Sequence, residues 1–248
     1  TTALAAALGL GALAACSTDT ATSATPEAEQ STTEAAPSSS IEGDATDQAT
    51  TAAVATTGST SVDASLAANL AYESGETSYD AASAVVITLA GDTATADGEG
   101  VSIDGSTVTI TAAGTYVLSG ELTDGQVIVH SPEAGVVRIV LDGASITSAT
   151  TSPLQVTDAG SVVLVLADGS ANSLTDAATY VYPEGVDEPN AALFSTADLT
   201  IGGAGALTVT GRSYDGITSK DGLVITGGDI TVTAVDDGVR GKDYLVIT

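Results

Sequence analysis

The chain has 248 residues, with 32 acidic side chains against five basic ones and a formal net charge of −27. So acidic a chain repels nucleic acid and anionic lipid, which excludes both as direct partners; it suits a high-salt or extracellular setting, or the binding of cations. One Phe, seven Tyr and no Trp beside 27 Gly favour short strands joined by turns over the ring-rich core of a compact α/β enzyme.

Residues 3–15 form an uncharged apolar run, too short for the roughly 20 residues that span a bilayer. The run ends in Leu13-Ala14-Ala15-Cys16, small residues before a cysteine, as a signal peptidase requires. The tetrapeptide resembles a bacterial lipobox, so residues 1–16 are read as a signal h-region with Cys16 as the lipidation site. No basic residues precede the run and the chain starts at Thr1, so more sequence is expected upstream. The protein is expected to be exported and lipid-anchored on the outer face of the cytoplasmic membrane, touching the membrane through that anchor only. Cys16 is the single cysteine, which leaves no internal disulfide.

Residues 17–65 are Ala, Thr, Ser, Glu, Asp and Pro, a composition that cannot bury enough surface to offset its ordering entropy; a disordered acidic linker is expected. Residues 66–83 are an ambiguous lead-in, either a short helix or more tether, with Tyr72 and Tyr79 suggesting that part of it docks.

From residue 84 to 248 the texture is β. Short apolar runs follow one another, among them Val85–Leu89, Val101–Ile103, Val108–Ile110, Tyr116–Leu118, Val127–Val129, Val136–Leu141 and Val162–Leu166, each closed by Gly with Asp, Ala or Ser. None sustains a 3.6-residue period, so little helix is expected. The last third repeats. Asp215-Gly216 lies over Asp237-Gly238, Lys220-Asp221 over Lys242-Asp243, and Leu223 and Ile225 over Leu245 and Ile247, all at an offset of 22. Asp198-Leu199 matches one unit earlier, and a second strand, Leu207–Val209 then Ile230–Val232, recurs at 23. A repeat of 22–24 residues with glycine corners predicts a right-handed parallel β-helix (solenoid), in which equivalent residues stack at about 4.8 Å. The chain stops inside a strand at Ile247-Thr248, where an open coil would be left uncovered, so further coils are expected.

Stacking sets Asp215 beside Asp237 and Asp221 beside Asp243. Carboxylates so close repel unless a cation lies between them or one is protonated. With Asp236 and backbone carbonyls they offer the oxygen ligands that Ca²⁺ takes; the plainer reading is that each Asp makes its turn. Lys220, Arg240 and Lys242 sit beside these corners as neutralising charges or, in a lyase, as bases. Residues 180–190 interrupt the repeat with Tyr180, Tyr182, Asp187 and Asn190, either gripping a sugar or closing over the stack; Tyr214 and Tyr244 are further candidates for sugar contact. His130 has no partner pattern and reads as a surface or turn residue.

At Ala191–Ser195, Asp198–Gly202, Asp215–Gly228 and Val235–Asp243 the sequence resembles the bacterial carbohydrate-binding β-helix lipoproteins. The resemblance implies a β-helix related in shape to polysaccharide lyases, bound calcium, and affinity for cellulose or polygalacturonate. It favours Asp215, Asp221, Asp236, Asp237 and Asp243 as the calcium set. The first expectation is therefore a monomeric, non-catalytic polysaccharide-binding module assisted by calcium. The rivals are a calcium-dependent polysaccharide lyase and a structural or adhesive surface protein.

Overall fold

The computed structural model describes residues 72–248. The lipobox, Cys16 and the 17–65 linker lie outside the described residues. Every described residue falls in one compact unit.

The described chain is all-β. A single 3₁₀ turn, Ala81–Ser83, precedes the strands, and no α-helix occurs among the described residues. In chain order the strands open with β1 (Val85–Gly91), β2 (Ala94–Ala96), β3 (Val101–Asp104), β4 (Thr107–Ile110), β5 (Gly114–Leu122) and β6 (Gln126–His130). The middle holds β7 (Val136–Thr147), β8 (Leu154–Asp158), β9 (Ser161–Leu166), β10 (Ala171–Thr175), β11 (Ala191–Ser195) and β12 (Leu199–Gly203). The last six are β13 (Ala206–Gly211), β14 (Asp215–Ser219), β15 (Gly222–Ile225), β16 (Asp229–Ala234), β17 (Val239–Gly241) and β18 (Tyr244–Ile247).

Two hairpin-like pairs near the start, β1 with β2 and β3 with β4, are antiparallel, a feature the sequence reading lacked; the other pairings are parallel. One sheet has two limbs joined at the twelve-residue β7, whose first half pairs with β9 and whose second half pairs with β10. The first limb continues through β12, β15 and β18, the second through β13 and β16. The other sheet runs β4-β6-β8-β11-β14-β17. From β9 onward, three consecutive strands visit the first limb, the second limb and the other sheet in turn. Strand partners therefore sit one repeat apart: Leu199 pairs with Leu223 and Leu223 with Leu245, Leu207 with Ile230, Ile217 with Val239.

The bend in β7 leaves two amide donors with no strand partner, and a buried side chain takes them up. Asn172 Oδ1 accepts from Gly143 N and Ala144 N, both at 2.9 Å, while its amide donates to Ser170 Oγ and Ala206 O. Buried polar groups persist where they are satisfied in this way.

Inward residues form one core. The row Leu154, Leu193, Ile217 and Val239 closes one side of it; Ile139, Leu164, Ile201 and Ile225, and Ile146, Leu174 and Val209, close the others. Each fully buried aliphatic side chain stabilises the fold by about 1.5–3 kcal/mol relative to exposure. Ahead of the strands, residues 72–80 have no regular structure and cross the outer side of the first limb. Gly75 N donates to Thr200 Oγ1 at 2.8 Å, and Arg138 donates to Glu76 O at 3.0 and 3.1 Å.

Candidate functional site

Asp215 opens β14, and its position follows from strand pairing. Its N–H donates to Asn190 O at 3.2 Å, while the next two amides, Gly216 N and Ile217 N, donate to Asp237 O and Gly238 O. The turn before β17 is thereby fixed over the turn before β14. The Asp215 side chain is 1% exposed, and each of its oxygens has a partner. Thr218 donates its hydroxyl to Oδ2 at 2.7 Å, the Asp237 amide donates to Oδ1 at 3.2 Å, and Arg240 Nη2 stands 3.2 Å from Oδ2. Arg240 also reaches toward exposed Asp237, at 3.8 Å. One carboxylate oxygen from each of Asp215, Asp236 and Asp237 lies within 4.8 Å of the other two.

The insertion at 178–190 folds onto this corner. Tyr180, Tyr182 and Tyr214 form a cluster, with ring centroids 5.2 Å apart for Tyr180 and Tyr214 and 5.7 Å for Tyr180 and Tyr182. The Tyr180 ring is buried; its hydroxyl lies 2.8 Å from Asp176 Oδ2 and 3.0 Å from Ala191 O, so this residue offers no face to a sugar. Burial, then the Asp176 charge, pushes the Tyr180 hydroxyl well above the ordinary tyrosine range. Asp176 is itself buried, which raises its carboxyl, and it accepts from Tyr180 and from the Arg212 amide. Tyr182 donates to Pro189 O at 2.7 Å, and Tyr214 is 37% exposed, so these two rings border solvent. Lys220 pairs with Glu188 and lies 5.8 Å above the Phe194 ring, holding the loop to β11 and β14. Asp187 is exposed, and Asn190 Oδ1 is buried without a hydrogen-bond partner.

The acidic corner and the tyrosine loop, read separately from the sequence, are thus one region. Two of the five aspartates fall elsewhere. Asp221 and Asp243 lie at the opposite ends of β14 and β17, in the turns leading into β15 and β18, beside Asp198. Burial raises the Asp221 carboxyl, and repulsion from Asp198 and then Asp243 raises it further. Asp198 Oδ1 accepts from Gly222 N at 3.0 Å and from the Tyr244 hydroxyl at 3.1 Å, so Tyr244 belongs to this second corner and not to the tyrosine loop. Lys220 and Arg240 are taken up by carboxylates. Lys242 is exposed and makes no ion pair among the described residues. His130 is exposed, with Nδ1 3.2 Å from Thr157 Oγ1.

Asp176 and Phe194 escaped the sequence reading because their contacts come from the folded insertion, and Thr218 because its bond to Asp215 is made within β14 and not between repeats. Asp198, which the sequence matches one unit earlier only as part of the repeat, joins the second corner in the structure.

Residues 104–248 match the family described as carbohydrate-binding domain-containing protein, and the chain belongs to that family. Over 137 residues it is 41% identical to a carbohydrate-binding domain-containing protein of Acetivibrio thermocellus, covering 55% of this chain and 48% of the relative. The chain thus spans about half the length of that relative. It is also homologous to a polysaccharide lyase-like protein from C. thermocellum, solved as a gadolinium derivative. The two share 37% identity and a TM-score of 0.65 over 66% of this chain and 67% of that one.

Proposed function

We propose that this chain winds as a right-handed parallel β-helix and binds polysaccharide, of the cellulose or polygalacturonate type, without cleaving it. Calcium assists at the Asp215–Asp236–Asp237 corner. The observation that carries this reading is the union of that corner with the solvent-bordering rings of Tyr182 and Tyr214. Rings supply faces for sugar stacking, and the corner supplies oxygen ligands beside them. The donor set fits a hard cation: three carboxylates converge, and Asn190, whose backbone oxygen accepts from Asp215 N–H, has its side-chain amide oxygen buried without a hydrogen-bond partner. Gadolinium, carried by the related lyase-like structure, is a hard cation with the same taste for oxygen. Calcium at this corner would bridge an acidic glycan to an acidic protein. Asp236 and Asp237 would hold it with one oxygen of Asp215, while Arg240 and Thr218 fix the Asp215 carboxylate.

A lyase needs a free base beside the metal. Lys220 and Arg240 are held by carboxylates, and Lys242, which makes no ion pair among the described residues, follows β17 at the second corner and not at this one, which favours binding over cleavage. The chain acts as an exported, monomeric, surface-displayed module anchored through a lipid on Cys16. Retention of the full chain on cellulose and on polygalacturonate, with calcium and with chelator, tests the reading. Polygalacturonate retention that is lost in chelator supports it. Retention indifferent to chelator overturns the calcium bridge, unsaturated product absorbing in the ultraviolet revives the lyase, and no retention on either glycan leaves a structural protein.

A further inference from the structure

The turns that lead into β6, β8, β11, β14 and β17 are stacked along one edge of the other sheet. The acidic corner takes the last two of them. Around the first two, Ser106, Thr107, Asp124, Gln126, Ser148 and Thr150 line a cavity of about 180 Å³.

The walls of this cavity are fixed before any ligand arrives. Asp124 Oδ1 accepts from the Ala149 amide at 2.9 Å, and Ser148 Oγ accepts from the Thr150 and Thr151 amides at 3.4 and 3.2 Å. Gln126 is held on both sides: its Nε2 donates to Thr107 Oγ1 at 3.5 Å, and its Oε1 accepts from Gln155 Nε2 at 3.1 Å. Gly125 lets the turns close up, because a Cβ there would run into the Ser106 carbonyl oxygen. These bonds leave Asp124 Oδ2 and the hydroxyls of Ser106 and Thr150 without a partner among the described residues.

That set of groups selects a class of ligand. Hydroxyls, an amide and a carboxylate exchange hydrogen bonds with the hydroxyls of a sugar, and the carboxylate accepts them most strongly. None of the five basic residues lines the cavity, so a uronate would meet Asp124 with no cation to offset the repulsion. Asp124 is also the one carboxylate in the lining, too few for a calcium bridge. The space falls below the roughly 300–1,000 Å³ of a whole-ligand pocket, which suits one ring of a longer chain. The rest of such a chain can follow the stack. Val181 N donates to Thr150 O at 2.9 Å and Ala177 N to Thr151 O at 3.2 Å, which ties the loop carrying Tyr182 to the rim of the cavity.

We infer that this cavity is a calcium-independent subsite for a neutral hexose residue, from which a neutral glycan runs along the stack onto the tyrosine loop. The inference rests on the glycan-binding reading and divides its two glycan types between two places. Neutral sugar is held here through its hydroxyls; uronate is held at the acidic corner through calcium.

Titration calorimetry of the full chain with cellotetraose and with tetragalacturonate, each in calcium and in chelator, tests it, while amide NMR shifts record where the sugar sits. Cellotetraose is expected to bind equally in both conditions and to move the amides of Gly125, Ala149 and Thr150. Asp124→Asn keeps an oxygen for the Ala149 amide but loses the charge, so it is expected to weaken cellotetraose by roughly five- to tenfold with the melting temperature unchanged. Thr150→Val, which removes a hydroxyl at nearly constant shape, is expected to weaken it several-fold. Asp236→Asn with Asp237→Asn should leave it as it was. Cellotetraose binding that both cavity variants leave unchanged overturns the inference, as do shifts confined to other residues or no binding at all. Tetragalacturonate that moves the same amides equally well in chelator overturns the choice of neutral sugar. None of these outcomes touches calcium-dependent retention on polygalacturonate, so the cavity and the acidic corner fail separately.

Discussion

Arg240 Nη2 stands 3.2 Å from Asp215 Oδ2, pairing a cation on β17 with a carboxylate that opens β14 one repeat earlier. The carboxylate is almost wholly buried and the guanidinium is 39% exposed. Removing one partner of a fully buried pair costs about 3–5 kcal/mol. Solvent at the Arg240 end reduces this, so Arg240→Ala is expected to destabilise by about 2 kcal/mol. Urea unfolding measures it. Since both residues act on one interaction, Asp215→Ala with Arg240→Ala should cost less than the sum of the single changes.

Calcium should compensate for the lost guanidinium if it occupies the same corner. Thermal melts of the full chain are expected to rise by a few degrees when calcium exceeds its dissociation constant about a hundredfold. Asp236→Asn with Asp237→Asn should abolish the rise. Asp221→Asn with Asp243→Asn, at the other corner, should leave it intact. A rise that survives the first pair and vanishes in the second would move the site to the Asp198 corner.

The stack was legible because its register is written in the sequence. Asp215 and Asp237 are 22 residues apart, and so are Gly222 and Tyr244, which the structure pairs directly. Other signals were present but went unread. In β9, Val162 to Leu166 is apolar at every position, the mark of a parallel strand covered on both sides, and it pointed to the outer cover of the first limb. The seating of the insertion had no such signal. Glu188 finds Lys220, and Tyr180 finds Tyr214, through contacts that share no period. The burial of Asp176 depends on the amide of Arg212, 36 residues away.

The second corner gives a pH dependence. The Asp221 carboxyl lies above its ordinary value of 3.8, through burial first and then through Asp198 and Asp243. A raised acid holds its proton more tightly in the folded chain than in the unfolded one. Its cost is therefore fully present at neutral pH and is relieved as pH falls through the folded value. Asp221→Asn should stabilise at pH 7 by on the order of 0.5 kcal/mol, given solvent screening. The gain should vanish below 3.8, where the aspartate is protonated in both states. Denaturant midpoints of both chains across acid pH check the convergence.

Gly203 ends β12 with φ at +110°, and a Cβ there would meet the carbonyl oxygen of Leu166 on the neighbouring β9. Backbone cannot yield as a flexible side chain does. Gly203→Ala is expected to destabilise by about 2–3 kcal/mol, through strain and overpacking together. Gly169→Ala is the control, because its φ of +70° is also left-handed but its Cβ would meet nothing within 4 Å. The difference between the two melts isolates the steric part.

The tyrosine cluster separates binding from support within one group of rings. Tyr180 is buried with its hydroxyl on Asp176, while Tyr214 presents its ring beside the acidic corner. Tyr180→Phe leaves the Asp176 carboxylate short of a buried donor, so a loss of about 1–2 kcal/mol in stability is expected, with glycan retention at saturating folded protein unchanged. Tyr214→Ala should act the other way. Its ring is more than a third exposed, so unfolding should shift by little beyond the loss of the edge-on contact with Tyr180, about 1 kcal/mol. Retention on polygalacturonate with calcium should fall by roughly tenfold if a sugar stacks on that ring. Equal retention of both variants would separate the tyrosines from the glycan and leave the acidic corner as the sole point of contact.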